Sequence, residues 1–348
     1  MKHTEALLKA EKFQQKMEKI AQNDYWRPQY HIAAPANWIN DPNGFCFYKG
    51  EYHLFYQYHP YSSQWGPMHW GHVASKDLAD WEHRPIALAP TDEYDKDGCF
   101  SGSAIENDGK LYLLYTGHVD LDNSNGGNDR IETQCLAVSD DGKHFEKVEN
   151  NPVIKALPEN LNIRTEHFRD PKVWKHGDWY YTVVGVQTKE ESGQVVVYKS
   201  QDLINWEFLN IMATSSVKEN LGFMWECPNF AEVNGHEALI LSPQGVKSEG
   251  NKFLNVHQSG YFLGKMDYQT GIFHRDSKFD LLDYGFDFYA PQIMQDEKNN
   301  RCLMIAWLDM WESNMPEQEN HWAGMMSIPR VLKVENNMIY SKPADELS

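Results

Sequence analysis

Hydrophobic and polar positions alternate along most of this chain, and the alternation is cut into short runs. From Tyr30 onward, stretches of Val, Ile, Tyr, Trp and Phe are broken every few residues by Gly, Asn and Asp. This is the pattern of strands that bury one face between tight turns. The run GFCFYKGEYHLFYQ, residues 44–57, reads as two such strands joined at Lys49-Gly50. Only the first two dozen residues follow another period. There Leu7, Ala10, Phe13, Met17 and Ile20 recur at intervals of three and four, which predicts one amphipathic helix in a leader of residues 1–24.

The strand pairs repeat. DPNGFCFYKGEYHLFYQ from Asp41, SGSAIENDGKLYLLYTG from Ser101, DPKVWKHGDWYYTVVG from Asp170, ECPNFAEVNGHEALILS from Glu226 and YAPQIMQDEKNNRCLMIAW from Tyr289 each give a strand, a turn and a second strand. The openings lie 60, 69, 56 and 63 residues apart, too far for one hairpin and suited to a four-stranded unit. A second signal recurs within three units, as SKDLADW from Ser75, SDDGKHF from Ser139 and SQDLINW from Ser200. Five small antiparallel sheets that cannot bury their own faces predict an all-β fold, a five-bladed β-propeller over residues 25–325. The first strand of each blade lines the central channel of such a ring. Asp41, Ser101, Asp170, Glu226 and Tyr289 are therefore expected to converge there.

Composition narrows the ligand. Aromatic residues make up 13% of the 348 positions, with 12 Trp and 18 Tyr, more flat half-polar surface than a core requires and suited to stacking on sugar rings. A net charge of −18 with no basic cluster argues against nucleic acid. Cys46, Cys99, Cys135, Cys227 and Cys302 are scattered and lack paired spacing, so neither a disulfide framework nor a zinc site is expected. The leader is charged throughout, without a signal-like apolar run, and nothing later is long enough to span a membrane. A cytoplasmic protein is the expectation, with its oligomeric state left open.

Three of the five openers are carboxylic acids. Crowded carboxylates repel one another and raise at least one pKa, which suits a general acid paired with a charged partner. Glycoside hydrolysis needs that pairing. Taken singly, Asp41 reads equally as part of an Asp-Pro-Asn-Gly turn, Glu226 as a structural acid and Asp170 as an Arg169-paired turn residue. Their shared placement tips the balance to catalysis. His69 and His72 in QWGPMHWGH suggest a metal, but residues three apart on a strand face opposite ways, so packing is expected instead. The tract DLDNSNGGNDR from Asp120 has a calcium-loop composition without the spacing, and reads as an exposed loop. Nearby Glu132 receives no role.

The motifs WINDPNG at 38–44, FSGS at 100–103, FRDP at 168–171, WECP at 225–228 and FYAPQ at 288–292 resemble those of glycoside hydrolase family 32, the invertase, levanase and sucrose-6-phosphate hydrolase group. The likeness runs in order over about 300 residues. It implies cleavage of β-fructofuranosides with retention and without a metal or other cofactor. Asp41 would be the nucleophile and Glu226 the acid/base. Asp170 would stay ionised beside Arg169 and hold fructose hydroxyls. Trp38, Asn40, Gln57, Trp65, Phe100, Ser101, Asp287, Tyr289 and Trp307 would line the fructose pocket. Cys227 would sit near the site without acting as a nucleophile.

The absence of a signal peptide and the helical leader point to sucrose 6-phosphate as substrate, with sucrose also cleaved. The alternatives are an intracellular invertase or fructo-oligosaccharide hydrolase, an inverting arabinan-type propeller in which the basic carboxylate activates water, and a propeller that binds sugar without turning it over. Family members usually carry a C-terminal β-sandwich. Residues 326–348, with MSIPRVLKVENNMIYSKP at their head, read as a link and stub toward such a module, and a chain without it is expected to expose an apolar flank and melt earlier.

Overall fold

The computed structural model describes residues 2–121, 129–216 and 218–348. Helix α1 (His3–Ala21) is followed by blade 1, with strands β1 (Asn37–Tyr48), β2 (Glu51–His59), β3 (His69–Ser75) and β4 (Trp81–His83). Blade 2 holds β5 (Gly98–Asn107), β6 (Lys110–Asp120), β7 (Arg130–Ser139) and β8 (Glu146–Lys147). Blade 3 holds β9 (Ile163–His176), β10 (Trp179–Thr188), β11 (Gly193–Ser200) and β12 (Trp206–Thr214). Blade 4 runs from β13 (Met224–Val233) through β14 (His236–Gln244) and β15 (Gly260–Met266) to β16 (Phe273–Arg275) and β17 (Asp280–Leu281). Blade 5 opens with β18 (Tyr289–Asp296) and β19 (Arg301–Trp307). After a short strand β20 (Trp322–Ala323), β21 (Arg330–Glu335) and β22 (Met338–Pro343) complete it.

Each blade is an antiparallel meander, and the five form the expected propeller. The turns follow their residue chemistry. Lys49 and Gly50 both take positive φ, 46° and 87°, as a two-residue hairpin connection requires. In the three recurring motifs a serine receives the bend between third and fourth strands. Ser75, Ser139 and Ser200 bind Asp77, Asp141 and Asp202 at 2.9–3.0 Å, and each aspartate in turn accepts backbone N–H groups two and three residues on.

The innermost strands break register at corresponding points. The breaks lie between Ile39 and Pro42, Phe100 and Gly102, Arg169 and Lys172, Glu226 and Asn229, and Tyr289 and Gln292. Pro42, Pro171, Pro228 and Pro291 explain four of them, because proline has no N–H to give the ladder. Gly102 takes the fifth place, where a Cβ would lie 2.1 Å from the Leu114 carbonyl oxygen. These anchors correct the alignment of the repeats. Asp41, Ser101, Asp170, Cys227 and Ala290 occupy the position before the anchor. Glu226 and Tyr289 stand one residue earlier, level with Asn40, Phe100 and Arg169.

The residue after the anchor is polar in every blade and satisfies what the break leaves open. Asn229, fully buried, donates to the carbonyls of Cys227 and Pro291 at 3.0 and 2.9 Å and accepts from the Ile293 N–H at 3.2 Å. Ser103 bonds the Pro171 carbonyl at 2.7 Å, and Asn43 accepts from the Gly102 N–H at 2.8 Å. Lys172 reaches across the axis to Gln292 at 3.0 Å and to the Ile293 carbonyl. These bonds tie blades to one another beneath the acids.

Two expectations change. Residues 330–335 and 338–343 are not a link and stub: β21 pairs with β19 and β22 with β21, so they are the outer half of blade 5. Helix α1 packs on blade 1 through Leu7, Ala10 and an edge contact of Phe13 with Tyr61, but Ile20, at the end of the apolar stripe, is 49% exposed. The loop tract at 122–128 lies outside the described residues.

Candidate active site

Asp41, before its proline, is buried at the channel mouth. It accepts a 2.6 Å hydrogen bond from the Ser101 hydroxyl on one oxygen and a 3.1 Å bond from the Asn40 amide on the other. The Cys227 thiol lies 3.5 Å from Asp41 and 3.6 Å from Asp170, and the Cys227 N–H donates to Asp170 at 2.9 Å. Asp170 and Cys227 both take positive φ, 67° and 46°, in front of their prolines, a conformation that an L-residue holds at a cost. The break thus turns both groups toward Asp41.

Burial and the nearby Glu226 raise the Asp41 carboxyl above its ordinary range, against the bonds from Ser101, Asn40 and Cys227. Burial pushes Asp170 up to about 8, with Glu226 and Asp41 adding and Arg169 opposing. The Cys227 thiol is driven far up, first by burial and then by the three acids, so it is a proton donor here and no thiolate.

One residue upstream, a second layer forms around Glu226. Arg169 holds one carboxylate oxygen at 2.6 and 3.1 Å, and the Tyr289 hydroxyl holds the other at 2.6 Å. The expectation that Arg169 keeps Asp170 charged is therefore corrected. Its guanidinium is engaged by Glu226 and, at 3.3 Å, by Glu132. Glu132 is the principal residue that sequence reading passed over. It is buried, accepts the Phe168 N–H at 2.8 Å, and lies well below the usual carboxylate range: burial alone would raise it, but Arg169, His118 and Arg130 overcome that cost. A signal was present. Arg130, Glu132 and Gln134 share one face of β7 by the two-residue period, three polar groups where an inner sheet should be apolar.

Trp38, Trp307, Tyr289 and Phe100 fall in one apolar cluster beside the acids. The Trp38 indole N–H donates to Asn40 at 2.7 Å, which fixes the amide that faces Asp41. Trp311, absent from the expected set, stacks on Trp38 with centroids 6.0 Å apart. Phe100 lies flat on His118 at 4.0 Å and meets the exposed Trp65 edge-on. Gln57 donates to the Cys99 carbonyl at 3.0 Å and, among the described residues, joins no carboxylate. Asp287 shares no hydrogen bond with the three acids among the described residues; its nearby neighbour Asp309 is pushed up to about 7, chiefly by burial. His69 bonds the Pro67 carbonyl, whereas His72 stacks between His53 and Phe55, so the two serve packing. Among the described residues no three His, Cys, Asp or Glu side chains are grouped to hold a metal.

Comparison with known proteins places this arrangement. Residues 31–343 match the family model described as glycosyl hydrolases family 32 N-terminal domain. A sucrose-6-phosphate hydrolase of Zymomonas mobilis is 45% identical over 98% of this chain, and a raffinose invertase of Escherichia coli is 42% identical over 96%. The chain spans 66% and 68% of those relatives' lengths. A Bombyx mori β-fructofuranosidase, solved as a mutant in complex with sucrose, superposes with a TM-score of 0.90 at 43% identity, covering 98% of this chain and 70% of that one. A sucrose-6-phosphate hydrolase of Lactobacillus gasseri gives 0.85 at 32% identity, covering 96% and 67%.

Proposed function

Because the chain belongs to glycoside hydrolase family 32, we propose that it hydrolyses β-D-fructofuranosides with retention, and that its substrate is sucrose 6-phosphate, with sucrose also cleaved. The observation that carries this reading is the unlike support of two carboxyl groups on one channel. Asp41 is held by a hydroxyl, an amide and a thiol, and Glu226 by a guanidinium and a phenol. Such separation of environments is what two carboxyl groups with different tasks need.

In the proposed mechanism, Glu226 protonates the glycosidic oxygen while Asp41 attacks the anomeric carbon of fructose. The Ser101 and Asn40 bonds aim the Asp41 oxygens. Glu226 then takes a proton from water, which releases fructose from Asp41. Asp170, its carboxyl pushed up to about 8 by burial, has a donor as well as acceptors for fructose hydroxyls. Trp38, Trp307 and Phe100 wall the ring and limit water. That several relatives carry the name sucrose-6-phosphate hydrolase supports the phosphorylated substrate for this chain, and a cytoplasmic location is proposed with it. No helix among the described residues is long and apolar enough to cross a membrane.

The experiment is glucose release from sucrose, and glucose 6-phosphate release from its 6-phosphate, with the anomer of the first-formed fructose read by NMR. Equal kcat/KM for both would remove the phosphate preference, and inverted product would reassign Asp41 to activating water. A folded protein that releases nothing would favour a binding-only propeller.

A further inference from the structure

A row of contacting side chains runs outward from Glu226 along the wall between blades 2 and 3. Arg169 touches Glu226 at 2.6 Å, and donates to His167 Nδ1 at 3.0 Å; Arg130 Nη2 lies against the same ring, 3.0 Å from Nδ1 and 3.5 Å from Nε2. A guanidinium can only donate and Nδ1 carries a single lone pair, which Arg169 occupies, so the His167 proton sits on Nε2. Burial and the two arginines hold His167 down to about 3, so the ring is a neutral spacer that presents an N–H.

The two arginines differ in how far they are neutralised. Arg169 is bonded to both Glu132 and Glu226. Arg130 is fixed through Nε to the Glu166 carbonyl at 2.9 Å, and its nearest carboxylate oxygen, on Glu132, stands at 3.6 Å without a hydrogen bond. Asp120, the other acid nearby, is turned to His118 at 3.2 Å. The side chain of Arg130 is 17% exposed, and among the described residues its Nη1 makes no hydrogen bond. It is therefore an anchored cation, incompletely paired among the described residues, that opens to solvent at the outer end of the row that starts at Glu226, in a protein of net charge −18.

We propose that Arg130, with the His167 Nε2–H, forms an anion subsite that receives a phosphate monoester on the leaving sugar. This deepens the function proposed above and rests on it. An acid/base sits at the glycosidic oxygen, so the leaving sugar lies on its outer side, and a phosphate on that sugar's primary hydroxyl is one ring further out. The row leads there. A guanidinium with free donors suits phosphate oxygens, and the long-range repulsion between an acidic protein and a dianion makes a local cation necessary.

The test compares wild type, Arg130→Gln and Arg130→Lys on sucrose and sucrose 6-phosphate, with unfolding curves as a check on folding. In Arg130→Gln the ratio of kcat/KM for the phosphorylated over the free substrate is expected to fall at least tenfold, and Arg130→Lys is expected to restore part of it. Loss by the same factor on both substrates would assign Arg130 to support of Glu132 and overturn the subsite. Calorimetric binding of glucose 6-phosphate against glucose gives a readout independent of turnover. Wild type that binds both alike overturns the subsite. Wild type that binds glucose 6-phosphate preferentially, loses that preference in Arg130→Gln, yet cleaves no fructoside keeps the subsite and overturns the proposed function instead.

Discussion

Asp170 is the residue where function and stability pull hardest against each other. Its carboxyl is buried among two other acids, and its folded-state value of about 8 stands far above the ordinary 3.8. Between those values the fold retains a proton that the unfolded chain gives up. Stability is therefore highest at acid pH as far as this group is concerned, and falls as pH rises toward about 8. Asp170→Asn should remove that slope and raise Tm at pH 8 by about 2 °C or more while lowering kcat about 10³-fold; an unchanged or lower Tm would count against a neutral Asp170. Asp41, also raised, must be ionised to attack, so the acid limb of kcat/KM should fall above the ordinary carboxylate range. An acid limb below pH 4 would show that substrate, or the hydrogen bonds from Ser101 and Asn40, outweighs burial. All five cysteines are buried and their thiols are raised by burial, Cys227 among them. Ellman titration at pH 8 should detect no fast thiol in the native protein and five after denaturation, and one fast thiol in the folded state would contradict the thiol placed between Asp41 and Asp170.

At the scale of the element, the inner strand of a blade does two jobs with four consecutive residues. Its anchor breaks the ladder, the residues before the anchor face the channel, and the residue after it repairs the backbone. Asn229 performs that repair with three hydrogen bonds at full burial, so Asn229→Ala leaves two carbonyls and an N–H unpaired. A loss of about 3 kcal/mol in urea unfolding is expected, and a loss below about 1 kcal/mol would show that water takes over the role. The serine–aspartate turns act locally instead. Asp202, on the surface, accepts the Ile204 and Asn205 N–H groups and, against a desolvation cost, is held down to about 2 by these and its other hydrogen bonds, so Asp202→Ala should cost about 1–2 kcal/mol at pH 7. The difference from wild type should disappear as pH falls through about 2, where the aspartate loses its charge. Both kinds of element are visible in the sequence, since proline, glycine and the Ser-x-Asp pattern act through their own backbone chemistry. What is hard to see is phase: DP, SG, DP, CP and AP align on the second letter, and setting Glu226 level with Asp41 misplaces it by one residue.

On the scale of the whole molecule, the ring closes where the chain returns from blade 5. Strand β20 pairs in parallel with the start of β1 through Asn37–Trp322 and Trp38–Ala323, and the Trp322 indole donates to Asp24 at 2.6 Å beneath the Arg27 guanidinium. The strap therefore fixes the strand that carries Trp38, Asn40 and Asp41. Trp322→Ala should destabilise by about 3–5 kcal/mol and, in whatever fraction stays folded, raise KM; loss of stability with KM unchanged would separate closure from the site. The sequence by itself determined the all-β repeat, the number of blades, the three acids and the turn chemistry, because period, proline and repeat spacing are properties of the chain. Tertiary structure decided the rest. Arg169 and Asp170 are neighbours in sequence, yet the guanidinium serves Glu226 on the next blade and Glu132 on the previous one, because successive residues of a strand face apart and the blades supply the nearer partners. Glu132, Arg130 and His167 became a set in the same way, and within the expected link of 326–348 residues 330–343 turned into half a blade because β19 offered β21 an edge.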